Sequence, residues 1–335
     1  MKIFFGFILC ASLFWSCSNN GPDVSNIKVQ LKTMRFEKGL FNLDTANFSQ
    51  NLDKLIAAYP TFGENFLSTI LNADPHWSAD STASYVHGFI MAYKPVYDSA
   101  AVVFKDFSKY EDEIIQAVKY VKYYFPNFKD RSKIITYIGP LDGYGDILSD
   151  DAFIIGLHHH LGKNFSLYKS ALVQETYPDY ISNRFTPGYI VVNCMKNVIN
   201  DLYPEKMDDK PLVQQMVEKG KRLYVLSKLL PKTEEYMLIG YTKEQLKAVY
   251  EHEQAVWALF VQNNFLQTID ANIIKNYIGE SPKTQELGEA SPGNIGSFAG
   301  WQIVKKYMQK NPKTTLQQLM DADDETIFAN ARYKP

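Results

Sequence analysis

Four groups of residues have types and spacings that could do chemistry. Cys17 closes the string Leu13-Phe14-Trp15-Ser16-Cys17. Lys2 gives a positive start, Ile3 to Trp15 an apolar run, and Ser16 a small residue before the thiol, the pattern of a secretory signal. A cysteine at that boundary, followed by polar Ser18-Asn19-Asn20-Gly21-Pro22-Asp23, looks like the lipid-attachment site of a bacterial lipoprotein; only the bulk of Phe14 and Trp15 departs from the usual lipobox. The second group is His158-His159-His160. On a strand His158 and His160 would face one side and suit two ligands of a zinc site, whereas on a helix they would diverge by about 200°. Three or four protein ligands are needed, so His252, Glu253 or an aspartate would have to join them. A run of histidines lacks zinc-motif spacing, and the expectation is an exposed polar turn before Leu161-Gly162.

Glu253 is the third group. It falls on an apolar helical stripe between Val249 and Val256, where a carboxylate must find a partner or titrate abnormally. A buried ion pair with a Lys or Arg of a neighbouring helix is expected, with a functional role as the rival reading. Gly293, Gly296 and Gly300 form the fourth. Neither Gly-Lys-Ser/Thr nor a Gly-x-Gly-x-x-Gly turn is present, so these glycines are expected to allow close packing rather than to cradle a phosphate. The sequence also lacks Gly-x-Ser-x-Gly, Cys-x-x-Cys and His-Glu-x-x-His. No cofactor is expected.

The elements that would position these groups are mostly helical. Ile27, Val29 and Leu31 alternate as in a strand, and the β-branched stretch from Lys133 to Ile138 predicts another. The apolar run from Ala152 to Leu157 fits either type. Helical spacing is predicted for Phe48 to Tyr59 with Pro60 as its stop, and for Lys109 to Phe125. Thr186-Pro187 looks like the opening of a helix whose face holds Val191, Met195, Val198 and Leu202; Pro211 opens another running to Pro231. Lys243 to Leu266 reads as one long helix, and two more close the chain around Trp301–Gln309 and Thr315–Ala331.

Composition bounds the function. The chain has 335 residues, 46% of them hydrophobic, and a formal net charge of −2, too balanced for nucleic acid to be the main partner. Twenty-two Tyr and 21 Phe supply a large aromatic core. With Cys10 in the signal and Cys17 acylated, Cys194 would have no intrachain partner for a disulfide. The apolar run behind Lys2 is shorter than the roughly 20 residues a membrane span requires, so attachment would rest on lipid. The organisation expected is a signal at 1–16, a lipid-anchored tether at 17–25 and a single domain at 26–335.

A set of stretches in fixed order then carries a family resemblance. After the lipobox come Ile27-Lys28-Val29, Arg35-Phe36-Glu37, Phe41 through Asp44 and Tyr59-Pro60. Gly156-Leu157, Leu161-Gly162, Tyr168 and Pro178-Asp179-Tyr180 follow, then Gly220-Lys221-Arg222-Leu223-Tyr224 and Leu229-Leu230-Pro231. The last block is Ser291-Pro292-Gly293, Ile295-Gly296, Gly300-Trp301-Gln302-Ile303-Val304, Tyr307-Met308 and Tyr333-Lys334-Pro335. In these the chain resembles the gliding-motility lipoprotein B (GldB) family over nearly its whole mature length. The resemblance implies an accessory protein anchored by lipid in the cell envelope, facing the periplasm, whose partners are proteins of the gliding or secretion machinery.

That family in turn resembles predicted zinc peptidases built on His-Glu-x-x-His, with a distant Glu as third ligand. The matching residues here are Asn193-Cys194-Met195-Lys196-Asn197. Asn193 and Asn197 keep the i, i+4 spacing but are poor zinc ligands, and Cys194 cannot replace a carboxylate base. The third-ligand position falls near Glu218-Lys219-Gly220. The resemblance therefore implies an α+β fold, mainly helical with a small β-sheet, in a degenerate zincin-like architecture, and a protein that binds rather than catalyses. The rival is a metal-dependent hydrolase, peptidase-like, using His158, His160 and a carboxylate from the 250s.

Overall fold

The computed structural model describes residues 21–335 apart from residue 208; the signal segment and Cys17 lie outside the described residues. The fold is α+β and mainly helical, with one mixed sheet. Its strands are β1 (Lys32–Arg35), β2 (Lys133–Tyr137), β3 (Ile147–Leu148) and β4 (Ala152–Gly156), in the order β1-β2-β4-β3. β1, β2 and β4 run parallel, with Met34 opposite Ile135 and Ile135 opposite Ile154; β3 returns antiparallel, Leu148 facing Phe153. All five residues of β4 are buried, which explains its unbroken apolar sequence: a strand covered on both faces has no reason to alternate.

The strand expected over Ile27–Leu31 forms instead at Lys32–Arg35. Alternation supplies a face but no partner, and β2 offers its first residue, Lys133, to Lys32. Ile27, Val29 and Leu31 still pack against the core, from irregular chain. Val24, inside the expected tether, is already buried.

The longest helix among the described residues forms where the spacing predicts none. It is α1 (Ala79–Val103), started by Ser78, whose side chain accepts from Ser81 N–H. Gly88 and Pro95 interrupt its pattern, and its buried residues Ala83, Val86, Val96 and Ala100 are small and sparse. α2 (Ser108–Tyr124) buries Ile114, Ala117, Val118 and Val121, as its spacing predicts. α3 (Ile190–Leu202) follows a tight turn at Pro187–Tyr189 and buries Val191, Met195 and Val198, and α4 (Leu212–Leu229) begins just after Pro211.

Two long predicted helices are each broken. Lys243 to Leu266 divides at His252 into α5 (Lys243–Glu251) and α6 (Glu253–Gln262). α7 (Ala271–Ile278) and α8 (Ile295–Lys310) follow. Thr315 to Ala331 divides into α9 (Leu316–Asp321) and α10 (Asp324–Ala331), because Asp323 leaves the helix to cap Thr326 N–H. α4 and α8 cross so closely that an added Cβ on Gly300 would sit 1.7 Å from Met216 O, and one on Gly220 would sit 2.2 Å from Gly300 O. Only glycine permits such backbone contact, which is the close packing expected of Gly300. Among the described residues no helix is long and apolar enough to cross a membrane.

Candidate functional site

Beyond Gly156 the end of β4 turns tightly through Leu157–His159, and all three histidines are buried. The expected exposed turn is therefore corrected, and each ring shows why burial is tolerated. His158 accepts the Gly139 N–H at Nδ1 (3.0 Å) and donates from Nε2 to Tyr144 O (3.0 Å). Burial, with His159 beside it, drives its pKa well below the ordinary histidine value. His159 donates from Nε2 to Leu141 O (3.0 Å) and stacks on Phe185 with centroids 4.3 Å apart. Burial lowers its pKa to about 4.

His160 is different. Nδ1 faces Thr186 O at 3.1 Å and Nε2 faces Asp146 Oδ2 at 2.8 Å. Thr186 O can only accept, so Nδ1 carries a hydrogen, and an Asp146 carboxylate at Nε2 favours a second one there. Burial opposes the charge that the second hydrogen brings, but the Asp146 carboxylate outweighs it and holds the pKa above the ordinary value. His158 and His160 thus serve separate partners. Among the described residues no group of three or more His, Cys, Asp or Glu is placed to hold a metal ion.

Stability should follow these titrations. Unfolded histidines take up protons near pH 6.5. Below that value the unfolded chain gains protons that the folded His158 and His159 refuse, so stability falls as pH drops toward about 4, with a limiting slope of about 1.4 kcal/mol per pH unit for each histidine. His160 acts oppositely: its contribution is present below pH 6.5 and is lost as pH rises through its folded pKa. The denaturation midpoint should be lower at about pH 4.5 than at pH 7, and His159→Gln should shrink that difference. An undiminished difference in the variant would assign the acid sensitivity elsewhere.

Asp146 is the hub of this region, a role that no motif or periodicity announces. Its carboxylate accepts from His160, from Gly156 N–H (3.1 Å) and from Asn193 Nδ2 (2.8 Å), while its carbonyl accepts from Asn197 Nδ2 (2.9 Å). Asn193 and Asn197 thus face one way from successive turns of α3, and what lies opposite them is a carboxylate and a carbonyl. The amides donate; they are not arranged as ligands. Cys194 is buried on the same helix, and burial pushes its thiol pKa well up. The four groups can hold the 139–146 loop against α3 and β4.

Glu218 is not part of this network. It is ion-paired to Lys221 (2.9 Å) and Arg222 (2.9 Å) of its own helix, and Lys221 lies 2.8 Å from Asp324 of α10. Burial disfavours its charge, but those cations hold its pKa below the usual value. Glu253 also departs from expectation: it is half-buried rather than buried, and it accepts from Tyr333 OH at 2.6 Å in place of an ion pair. The break at His252 makes it the first residue of α6 and not the middle of a stripe.

Lys196 and Asn197 also line a cavity of about 910 Å³ bordered by α3, α4 and α7. Burial lowers the Lys196 pKa to about 8, with Arg184 and Lys219 adding in the same direction and Glu280 opposing. Lys196 carries no sequence signal of its own, because a lysine inside a helical stretch is ordinary until its surroundings are known.

A family model described as gliding motility protein GldB matches residues 17–335. No curated protein and no solved structure matches the chain.

Proposed function

The chain belongs to the gliding motility protein GldB family, and from that membership we propose that it is a lipid-anchored accessory protein that works by binding components of the gliding or secretion machinery, without catalysis. Cys17 would carry the lipid, leaving the folded body in the periplasm beside a membrane. Several acyl chains would hold it stably where one would not. The architecture is read as a zincin-like body whose metal site has decayed. The observation that carries the non-catalytic reading is the pair of Asn193 and Asn197 amides bonded to Asp146. A near-neutral surface supports proteins rather than nucleic acid as partners.

The test is complementation of a non-gliding strain that lacks the chain. The wild-type protein should restore gliding and sediment with membranes. Cys17→Ser should appear in the soluble fraction and fail to restore it, since the described helices offer no alternative span. A Cys17→Ser protein that stays on salt-washed membranes and supports gliding would contradict the anchor. Failure of the wild-type protein to restore gliding would contradict the role.

A further inference from the structure

The cavity beside α3 is lined by both aliphatic and cationic side chains, and that combination defines what it can hold. Ile199, Leu223, Leu226, Leu238, Ile274 and Ile278 supply the aliphatic lining. Among the described residues, Lys196, Lys210, Lys219, Arg222 and Lys275 outnumber the acidic lining residues Glu205, Asp209 and Glu280. Much of this charge is already paired. Lys219 lies 2.9 Å from Glu205, Lys210 2.7 Å from Asp324, and Glu280 3.0 Å from Arg184.

Among the described residues Lys196 and Lys275 have no such partner, and of the two Lys275 is exposed to solvent while Lys196 is half-buried. Only more distant charges surround the Lys196 amine. Its partial burial in the cavity lining without a bonded counter-charge is a deficit that an incoming anion would repair. The volume, about 910 Å³, lies at the upper end of the roughly 300–1,000 Å³ typical of small-molecule sites. Ile269, 71% exposed yet part of the lining, brings apolar lining to the surface and so gives a hydrocarbon chain a way in.

We propose that this cavity binds a single-chain amphiphile with an anionic head, carboxylate or phosphate, its chain against the aliphatic lining and its head at Lys196 Nζ. The site is independent of the motility reading: it could be occupied whether or not the body also docks on the machinery.

The experiment is isothermal titration of the full chain carrying Cys17→Ser, so that no acyl group of its own competes. The probes are hexadecanoate, hexadecyl phosphate and hexadecanol, each below its aggregation concentration. Hexadecanoate or hexadecyl phosphate should bind at one site per chain, at least about tenfold tighter than the alcohol, because a hydrogen bond to a charged group adds to the shared hydrocarbon contact. Whichever of the two binds tighter identifies the head group. Lys196→Met, similar in length and apolar, should abolish the preference while leaving hexadecanol binding unchanged; Lys196→Arg should keep it. Melting curves verify that both variants fold. Equal affinity for acid, phosphate and alcohol, no binding of any, or a preference that survives Lys196→Met would overturn the proposal. So would tighter binding of an apolar peptide with a free C-terminal carboxylate, which would make the cavity a protein-docking site.

Discussion

Gly300→Ala is expected to destabilise the fold by at least about 3 kcal/mol, the upper end of the range for overpacking. The reason is the α4–α8 crossing, where the new methyl would meet Met216 O at 1.7 Å. A crowded side chain can change rotamer, but a helix carbonyl cannot move without its helix. Gly220 lies against Gly300 O in the same contact, so the two helices would have to separate along a face that buries Met216, Val217 and Val304. Gly88→Ala is the control. Nothing lies within 4 Å of its added Cβ, and it sits inside α1, so alanine there should be neutral or stabilising by up to about 1 kcal/mol. Urea midpoints at constant slope measure both. Equal midpoints for wild type and Gly300→Ala would mean that the helices are further apart than described.

Lys221→Met is expected to cost about 3–5 kcal/mol, the range for removing one partner of a buried ion pair. Lys221 is 3% exposed and stands between Glu218, 2.9 Å away, and Asp324, 2.8 Å away. Its hydrogens also reach Met320 O (3.3 Å) and Ala322 O (3.2 Å), so the approach to Asp324 is mainly Coulombic. Methionine fills the volume but leaves two buried carboxylates facing each other across the gap. Arg222 and Lys210 still neutralise part of that charge, so Lys221→Met combined with Asp324→Asn should recover some of the loss, a coupling that a double-mutant cycle reads directly. Strict additivity of the two substitutions would show that Lys221 and Asp324 do not interact.

These two predictions mark where the sequence was informative. Gly300 was legible as a packing residue because the phosphate motifs that could claim it are absent, but its partner Met216 was not, since the contact spans two helices. Glu218 could be identified as a candidate only through the zinc-site alignment, and the structure gives it to Lys221 and Arg222. Periodicity located α2, α3 and α4, whose buried faces repeat at helical spacing. It missed α1, which buries small residues at wide intervals and contains Gly88 and Pro95. It joined α5 to α6 because Val249 and Val256 stay in phase across a break that no proline or glycine announces.

The candidate site was half legible. Asn193 and Asn197 are legible only through what the family resemblance implies, and His160 through its place in a conspicuous run. Their common partner Asp146 was invisible, because an aspartate in a loop has no periodicity and its role arises only when β3 and β4 fold back to set it beside His160. Lys196 is silent in the sequence for the same reason: a lysine is informative only once its surroundings are known.

The central claim is that the amides of Asn193 and Asn197, with Asp146 and His160, form a locked hydrogen-bond network and not a metal centre. Metal analysis of tag-free protein, purified with zinc present and then dialysed, tests it most directly. The account predicts zinc far below one equivalent per chain, with Asp146→Ala lowering the denaturation midpoint and leaving the metal content unchanged. One tightly held zinc per chain, lost on Asp146→Ala or Asn193→Ala, would contradict it and restore the metal-dependent hydrolase.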